Sequence, residues 1–157
     1  MTELTDPVRL RPATLADTAR IFAWQTSPGL RAFARHPEPP NWDEHQSWMT
    51  QCLTDPRRHL LVIEHRGAPA GVLRLDEIDH DGLAGREVSI LIAPAHHGQG
   101  VATLALRAAV AGWNDRPLLA EIRPDHLASI RAFAKAGFRP LNESWYSFPP
   151  RGQGAPR

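Results

Sequence analysis

Along the chain the spacing of apolar and polar positions changes period several times, and each change marks an element. Residues 8–11 alternate as a short strand that Pro12 closes. Residues 17–25 carry the helical spacing, with Ile21 and Trp24 on a shared face. The segment 28–40 is irregular and ends in Pro37, Pro39 and Pro40. Asn41 or Asp43 is placed to cap a second helix running to about Leu53, with Trp48 and Cys52 four apart on one side. The period then falls to two. Residues 60–64 and 71–75 predict strands joined in a hairpin around Arg66 and Gly67. The polar stretch 76–85 is expected as a flexible turn, and 88–92 as the third strand of a meander. Residues 102–113 are an alanine- and leucine-rich helix, 118–122 a strand, and 127–136 a helix ended by Gly137. Residues 145–148 are the last strand.

These elements predict an α+β fold: a mixed, mostly antiparallel central sheet flanked by helices, without the repeated βαβ unit of a dinucleotide-binding domain. At 157 residues the chain suits one domain. That domain is expected over 8–148, with an N-terminal extension at 1–7 and a frayed, Pro/Gly-rich tail at 149–157.

Composition narrows the function classes. Hydrophobic residues make up 42% and charged residues 22%, too apolar for a disordered chain. No apolar run approaches the roughly 20 residues that cross a bilayer, and no signal-like segment opens the chain. A formal charge of +1 gives no nucleic-acid footprint, and the basic run Arg57, Arg58, His59 reads as a solvated turn. Cys52 is the only cysteine, which points to a reducing, cytoplasmic setting. Trp24, Trp42 and Trp48 crowd the first third, where they either line a ligand groove or pack the core.

The chemistry concentrates in 88–113. An apolar strand ends at Pro94, Gly98 and Gly100 frame Gln99, and a helix follows with no acidic residue in its first turn. Unpaired N–H groups and the positive end of a helix dipole would meet there, with glycines admitting close approach. These are the parts of a phosphate cradle. The run lacks the GxGxxG of a dinucleotide site and the GK[ST] ending of a triphosphate loop. A plain strand-to-helix turn would use the same glycines.

A second stretch, AEIRPDHLASIRAFAKAGF at 120–138, adds to this. With HHGQGVA it resembles the GCN5-related N-acetyltransferase (GNAT) superfamily, whose motifs run Gln/Arg-x-x-Gly-x-Gly/Ala and Asn-x-x-Ser…Tyr/Phe-x-Lys-x-Gly-Phe. The resemblance spans 8–148. The segments WDEHQSWM and HLLVIEHRGAPAGVLRLD are similar, more loosely, to the branch that acetylates amino-sugar nucleotides.

The resemblance implies acetyl-CoA as acetyl donor and no metal. It implies that His97, Gly98, Gln99, Gly100, Val101 and Ala102 hold the pyrophosphate. The backbone of Ile90, Leu91 and Ile92 would meet the pantetheine arm between two splayed strands, while the isoleucine side chains pack. His126, Ser129, Phe133 and Lys135 fall on the second motif. Two departures stand out: His126 replaces the usual Asn, and Phe133 replaces a Tyr that in many members protonates the departing thiolate. Tyr146, the only tyrosine, is remote in sequence. Ser129 is the nearest polar group for that role, though it equally suits helix packing.

Acetylating an amine calls for a base, and Glu87, at the head of the central strand, coincides with a glutamate often used so in the family. Alternation sets Glu87, Ser89 and Leu91 on one face. A backbone N–H near 89–91 would receive the oxyanion. On the acceptor side, His45 and Trp48 share a helix face, Arg74 stands on its strand and Glu121 on a strand adjacent to the cleft, while Asp76 and Glu77 would instead attract a cationic amine. His96 and His97 show no zinc-ligand spacing. The expectation is an N-acetyltransferase for a small primary amine, with an amino-sugar nucleotide as one candidate, acting by direct attack in a ternary complex. The alternatives are a protein or peptide N-acetyltransferase, a non-catalytic acetyl-CoA sensor and, weakest, a ligand-free structural domain. An exposed sheet edge would suit a homodimer, though no residue identifies it.

Overall fold

The computed structural model describes residues 7–30 and 38–149. Seven strands form one sheet: β1 (Val8–Pro12), β2 (Arg58–His65), β3 (Ala68–His80), β4 (Leu83–Ile92), β5 (Leu118–Glu121), β6 (Arg139–Pro140) and β7 (Trp145–Phe148). Their spatial order is β1-β2-β3-β4-β5-β7-β6, and every neighbour is antiparallel except β4 and β5. Four helices flank it: α1 (Thr18–Gln25), α2 (Trp42–Thr54), α3 (Val101–Gly112) and α4 (Leu127–Lys135). This is the mixed, mostly antiparallel α+β architecture that the patterning predicts. The expected extension and tail, and the middle of the 28–40 segment, lie outside the described residues.

Strand alternation sorts the side chains into two cores. Leu61, Ile63, Leu73, Leu75, Val88, Leu118 and Ala120 point to one face, where they pack with Ala105 and Leu106 of α3 and Phe133 of α4. Leu60, Val62 and Val72 point to the other, where they meet Ile21 of α1 and Met49 and Cys52 of α2. The sheet is therefore sandwiched, and α1 and α2 cover only part of the second face.

Local chemistry fixes the element ends. Asn41 caps α2 by accepting from the Glu44 N–H, while the Glu44 side chain accepts from the Asn41 N–H; Asp43 is not the cap. At the end of α4 the N–H of Phe138 reaches the Phe133 carbonyl and that of Gly137 the Ala134 carbonyl, a Schellman closure.

One expectation fails. Residues 76–85 are not a flexible turn: β3 and β4 pair continuously from Gly71↔Ile92 to His80↔Leu83. Asp81 and Gly82 make a two-residue turn with both φ angles positive, the Asp-Gly hairpin signature. Polarity misled because the ribbon is built largely from polar side chains, half-buried at 76–78 and exposed at 81–84. The two-residue strand β6 is a further element that the patterning missed.

Asp17 anchors the start of α1. It is 1% exposed, meets Arg11 through both carboxylate oxygens at 2.9 and 3.0 Å, pairs with Arg20, and accepts the Thr14 N–H. The Arg11 hydrogen bonds hold its carboxyl well below the usual carboxylate range, against the opposing effect of burial. The stabilisation is complete above the unfolded value of about 4 and is lost as pH falls through the folded value. Asp17→Asn is expected to cost about 2 kcal/mol at pH 7, short of a fully buried pair because both arginines stay a third or more exposed. Denaturant titrations at pH 7 and pH 3 check this: the cost shrinks at the lower pH, and an equal cost at both would refute it.

Candidate active site

Only two residue pairs join β4 to β5: Arg86↔Leu118 and Glu87↔Leu119. The approach at this junction is close, since a Cβ on Gly85 would lie 2.6 Å from the Pro117 carbonyl oxygen. Arg86 secures it. Its guanidinium holds Asp115 at 2.6 and 3.3 Å and lies 5.2 Å from the Trp113 ring, in the segment between α3 and β5. Beyond Glu87 the two strands part. β4 follows β3 and β5 follows β7, each paired along its outer side.

The gap exposes backbone. The Arg86 N–H donates toward β5, to the Pro117 carbonyl, so by alternation the peptide groups of Ile90 point the same way. Among the described residues no strand pairs with 88–92 on that side. A cleft of about 610 Å³ occupies the opening. Glu87, Ser89, Ile90 and Leu91 line it from β4, Glu121 from β5, and His126, Ser129 and Phe133 from α4. On the face of α1 and α2, Arg58, Arg74 and Asp76 continue it. The slot thus opens to both faces of the sheet.

At the Ile92 end of β4 the chain makes a short turn, Pro94–His96, and enters the glycine loop. Gly98 and Gly100 both have φ +74°, a left-handed conformation costly for a side chain, and a Cβ at either would meet nothing within 4 Å. Gly100 precedes α3, no side chain caps that helix end, and no acidic residue occupies its first turn. The loop is solvent-exposed while Val101 is buried, so the helix start is pinned and its approach stays open. Two side chains brace the loop: a His97 ring nitrogen lies 2.8 Å from the Ile92 carbonyl, and the Gln99 amide donates to the Ala95 carbonyl. This geometry suits the pyrophosphate of a coenzyme, held by amides rather than by side-chain charge. The further histidine contact, His65 Nδ1 to His96 Nδ1 at 3.0 Å, ties the preceding turn to β2. Sequence spacing gave no sign of it, because the partners are 31 residues apart.

The residues singled out from sequence divide. Glu87, Ser89 and Leu91 share a face as alternation predicts, and His126, Ser129 and Phe133 form one wall. Burial pushes His126 below the usual imidazole value, favouring its neutral form. Phe133 is 3% exposed and packs edge-on against Phe138 with ring centroids 4.9 Å apart, a core role. Lys135 is exposed at the far end of α4, two residues past Phe133 and hence on another helix face, and does not line the cleft. Tyr146 packs against the main core and does not line the cleft.

His45 is the larger correction. It is fully buried between α1 and α2, with Nε2 2.9 Å from the Thr18 carbonyl and its ring 5.9 Å from that of Trp48. The shared helix face is real, but it faces the core. Trp48 is half-buried and reaches the cleft only through Arg74, whose guanidinium lies 5.5 Å from its ring. Arg58 and Asp76 line the cleft beside Arg74; the opposition of Arg58 and Asp76 across β2 and β3 depends on a register that sequence does not fix.

A family model described as an acetyltransferase (GNAT) domain matches residues 8–139. No curated protein matches the chain by sequence. Among solved structures, an aminoglycoside acetyltransferase, AAC(6')-Ib, in complex with coenzyme A and kanamycin is similar at 21% identity and TM-score 0.77, covering 92% of this chain and 95% of that one. A ribosomal L7/L12 alpha-N-protein acetyltransferase, RimL, in complex with coenzyme A has 15% identity and TM-score 0.77, covering 94% and 97%. A spermidine N-acetyltransferase from Vibrio cholerae in complex with CoA and spermine has 17% identity and TM-score 0.74, covering 90% and 91%.

Burial holds the His45 imidazole below its usual value, partly offset by the Thr18 carbonyl. The unfolded chain therefore binds that proton first, and stability falls as pH drops below about 6.5 until the folded value is passed. His45→Phe keeps a ring and removes the proton site. Unfolding curves at pH 7.5, 6.5 and 5.5 are expected to fall less steeply for the variant; an identical slope would return His45 to an exposed role.

Proposed function

The chain belongs to the acetyltransferase (GNAT) domain family, and on that premise we propose that it is an acetyl-CoA-dependent N-acetyltransferase for a small primary amine. The observation that carries this reading is the parting of β4 from β5 above Glu87, with a glycine-framed helix start at the end of the same strand. Bound acetyl-CoA would supply an acyl thioester that an amine attacks directly, with no covalent enzyme intermediate.

Each part of the slot has a task in that reaction. Amides from Gly98 to Ala102 take the pyrophosphate. The unpaired peptide of Ile90 meets the pantetheine arm as an added strand would, and its N–H is the oxyanion donor. Glu87 faces the opposite opening, where the acceptor enters, and takes a proton from the ammonium directly or through water. Ser129 on the α4 wall is the hydroxyl able to hydrogen-bond the departing sulfur. Phe133 in place of a tyrosine is tolerable because a thiol of pKa about 8.5 leaves as a thiolate far more readily than an alkoxide.

The acceptor is the less constrained half. The three similar structures bear an aminoglycoside, a ribosomal protein's N-terminus and a polyamine in their descriptions, so the fold admits all three. A cleft that narrows onto Glu87 between two strands favours a small molecule with an unhindered amine, and an amino-sugar nucleotide remains one such acceptor. Its support is no longer His45 and Trp48 but the polar row beside Glu87.

Isothermal titration with acetyl-CoA is expected to give saturable binding at micromolar to low-millimolar concentration. Gly100→Val is expected to weaken it by about tenfold or more, by forcing a β-branched residue into left-handed backbone and crowding the amides. Absence of binding to the folded protein would sink the proposal. Separately, Glu87→Gln is expected to lower turnover at pH 7 by about 10²-fold or more, with acetyl-CoA affinity kept. Release of free coenzyme A across an amine panel reads this directly, and an unaltered rate would remove Glu87 as base.

A further inference from the structure

On the face of the sheet that carries α1 and α2, three charged residues lie in a row beside Glu87. Register sets Arg58 of β2 opposite Asp76 of β3, and Asp76 opposite Glu87 of β4. Arg74, two residues before Asp76 on the same face, donates from Nε to Asp76 Oδ2 at 2.8 Å. Arg58 Nε lies 3.9 Å from Asp76 Oδ1, too far for a hydrogen bond. One carboxylate thus serves two guanidiniums. Among the described residues no hydrogen bond is made by the Nη groups of either arginine, and both line the cleft.

The arrangement is built rather than incidental. Asp76 fixes the edge of Arg74 that carries Nε, and the Trp48 ring supports the plane of its guanidinium, so the remaining N–H groups are held in a set direction. Side-chain exposure is 29% for Arg74 and 36% for Arg58, which is low for arginines on an open sheet face. Both are close enough to Cys52 on α2 for their charges to favour its thiolate, although burial dominates and pushes that thiol up. Asp76 Oδ1 is itself buried without a hydrogen bond. Two forked guanidiniums thus share the Asp76 carboxylate, and their Nη groups are left to donate into the cleft.

We propose that Arg58 and Arg74 form an anion subsite for the acceptor, so that the substrate is an amine that also bears a phosphate or carboxylate group. The proposal rests on the acetyl-transfer reading for the place of the amine. The ammonium sits at Glu87 and the anion on the two arginines. Strand spacing separates the Glu87 backbone from Arg74 by one strand and from Arg58 by two, so amine and anion lie about 5–10 Å apart. A sugar ring or a short alkyl chain spans that distance. A polycationic acceptor would set like charge against both arginines, so amines with no anionic group are disfavoured.

The test uses the full chain saturated with coenzyme A, which fills the glycine loop and removes it as a competing anion site. Inorganic phosphate and succinate are titrated separately while NMR follows the arginine Nε–H and tryptophan indole N–H signals. The expected result is a saturable shift of the Arg58, Arg74 and Trp48 signals with one of the two anions. The arm that saturates identifies phosphate or carboxylate. Arg74→Gln and Arg58→Gln are each expected to weaken that anion by about fivefold or more while coenzyme A still binds. No saturable shift with either anion up to about 50 mM would overturn the subsite, as would an unchanged affinity in both variants. The coenzyme A titration that precedes these steps separates the two ideas. Failure to bind coenzyme A removes the acetyl-transfer reading, whereas coenzyme A binding without an anion response removes the subsite alone.

Discussion

The short parallel contact between β4 and β5 is the constraint on which the cleft depends. A parallel pair that continued past Glu87 would close the sheet and consume the peptide groups that now face the opening. Past that point each strand follows its outer neighbour instead. Ten register pairs bind β4 to β3, and all four residues of β5 pair with β7. The Ile122 N–H then continues outward to the Ser144 carbonyl. Arg86, 7% exposed and bound to Asp115, clamps the base so that the divergence has a fixed origin. Backbone left unpaired in this way would be a liability in a sheet interior. Its persistence along an open cleft is intelligible if a ligand supplies the missing partners.

In the proposed reaction the division of labour follows from that constraint. There the donor side of the slot is made of main chain: the Ile90 peptide, the glycine loop and the start of α3. Side chains there serve mainly to hold the backbone in shape, as His97 and Gln99 do by bonding to the Ile92 and Ala95 carbonyls. The acceptor side is made of side chains standing on a pleated surface: Arg58, Arg74, Asp76, Glu87 and Ser89. Because the slot is open to both faces, the two reactants can approach from opposite directions and meet at Glu87 and Ile90 without passing each other.

Much of this was legible in the residues and some was not. The glycine loop, the Asn41 capping box and the Gly137 helix stop are local, and local chemistry announces them. Strand alternation also correctly grouped Glu87 with Ser89 and Leu91. The polar ribbon at 76–85 was missed because its polar side chains carry no hydrophobic period, although Asp81-Gly82 signalled its turn. His45 was misread for a different reason. Helix spacing gives the face a residue shares with Trp48, but not whether that face meets solvent or the neighbouring helix. Here α1 covers it. The Arg58–Asp76–Glu87 row was invisible because it needs the register of three strands, and the shift between Ile63 and Glu64 makes that register impossible to count from the turn.

The same division explains why overall likeness to other acetyltransferase structures says little about the acceptor. A ligand held by main chain constrains sequence only where glycine or a small residue is required, so the donor half tolerates wide divergence. Identities of 15–21% accompany TM-scores between 0.74 and 0.77 in the three structures compared. The acceptor half is read by side chains on alternate positions of β2, β3 and β4. Any of these can change without disturbing the main core, which lies on the opposite face of the sheet. Arg74 can be exchanged without moving Leu73 or Leu75, its neighbours at i±1. Specificity is therefore free to drift while the fold stays fixed. What distinguishes this chain is the set of charges it places on that one face: two guanidiniums held by a single carboxylate, next to the glutamate above which the strands divide.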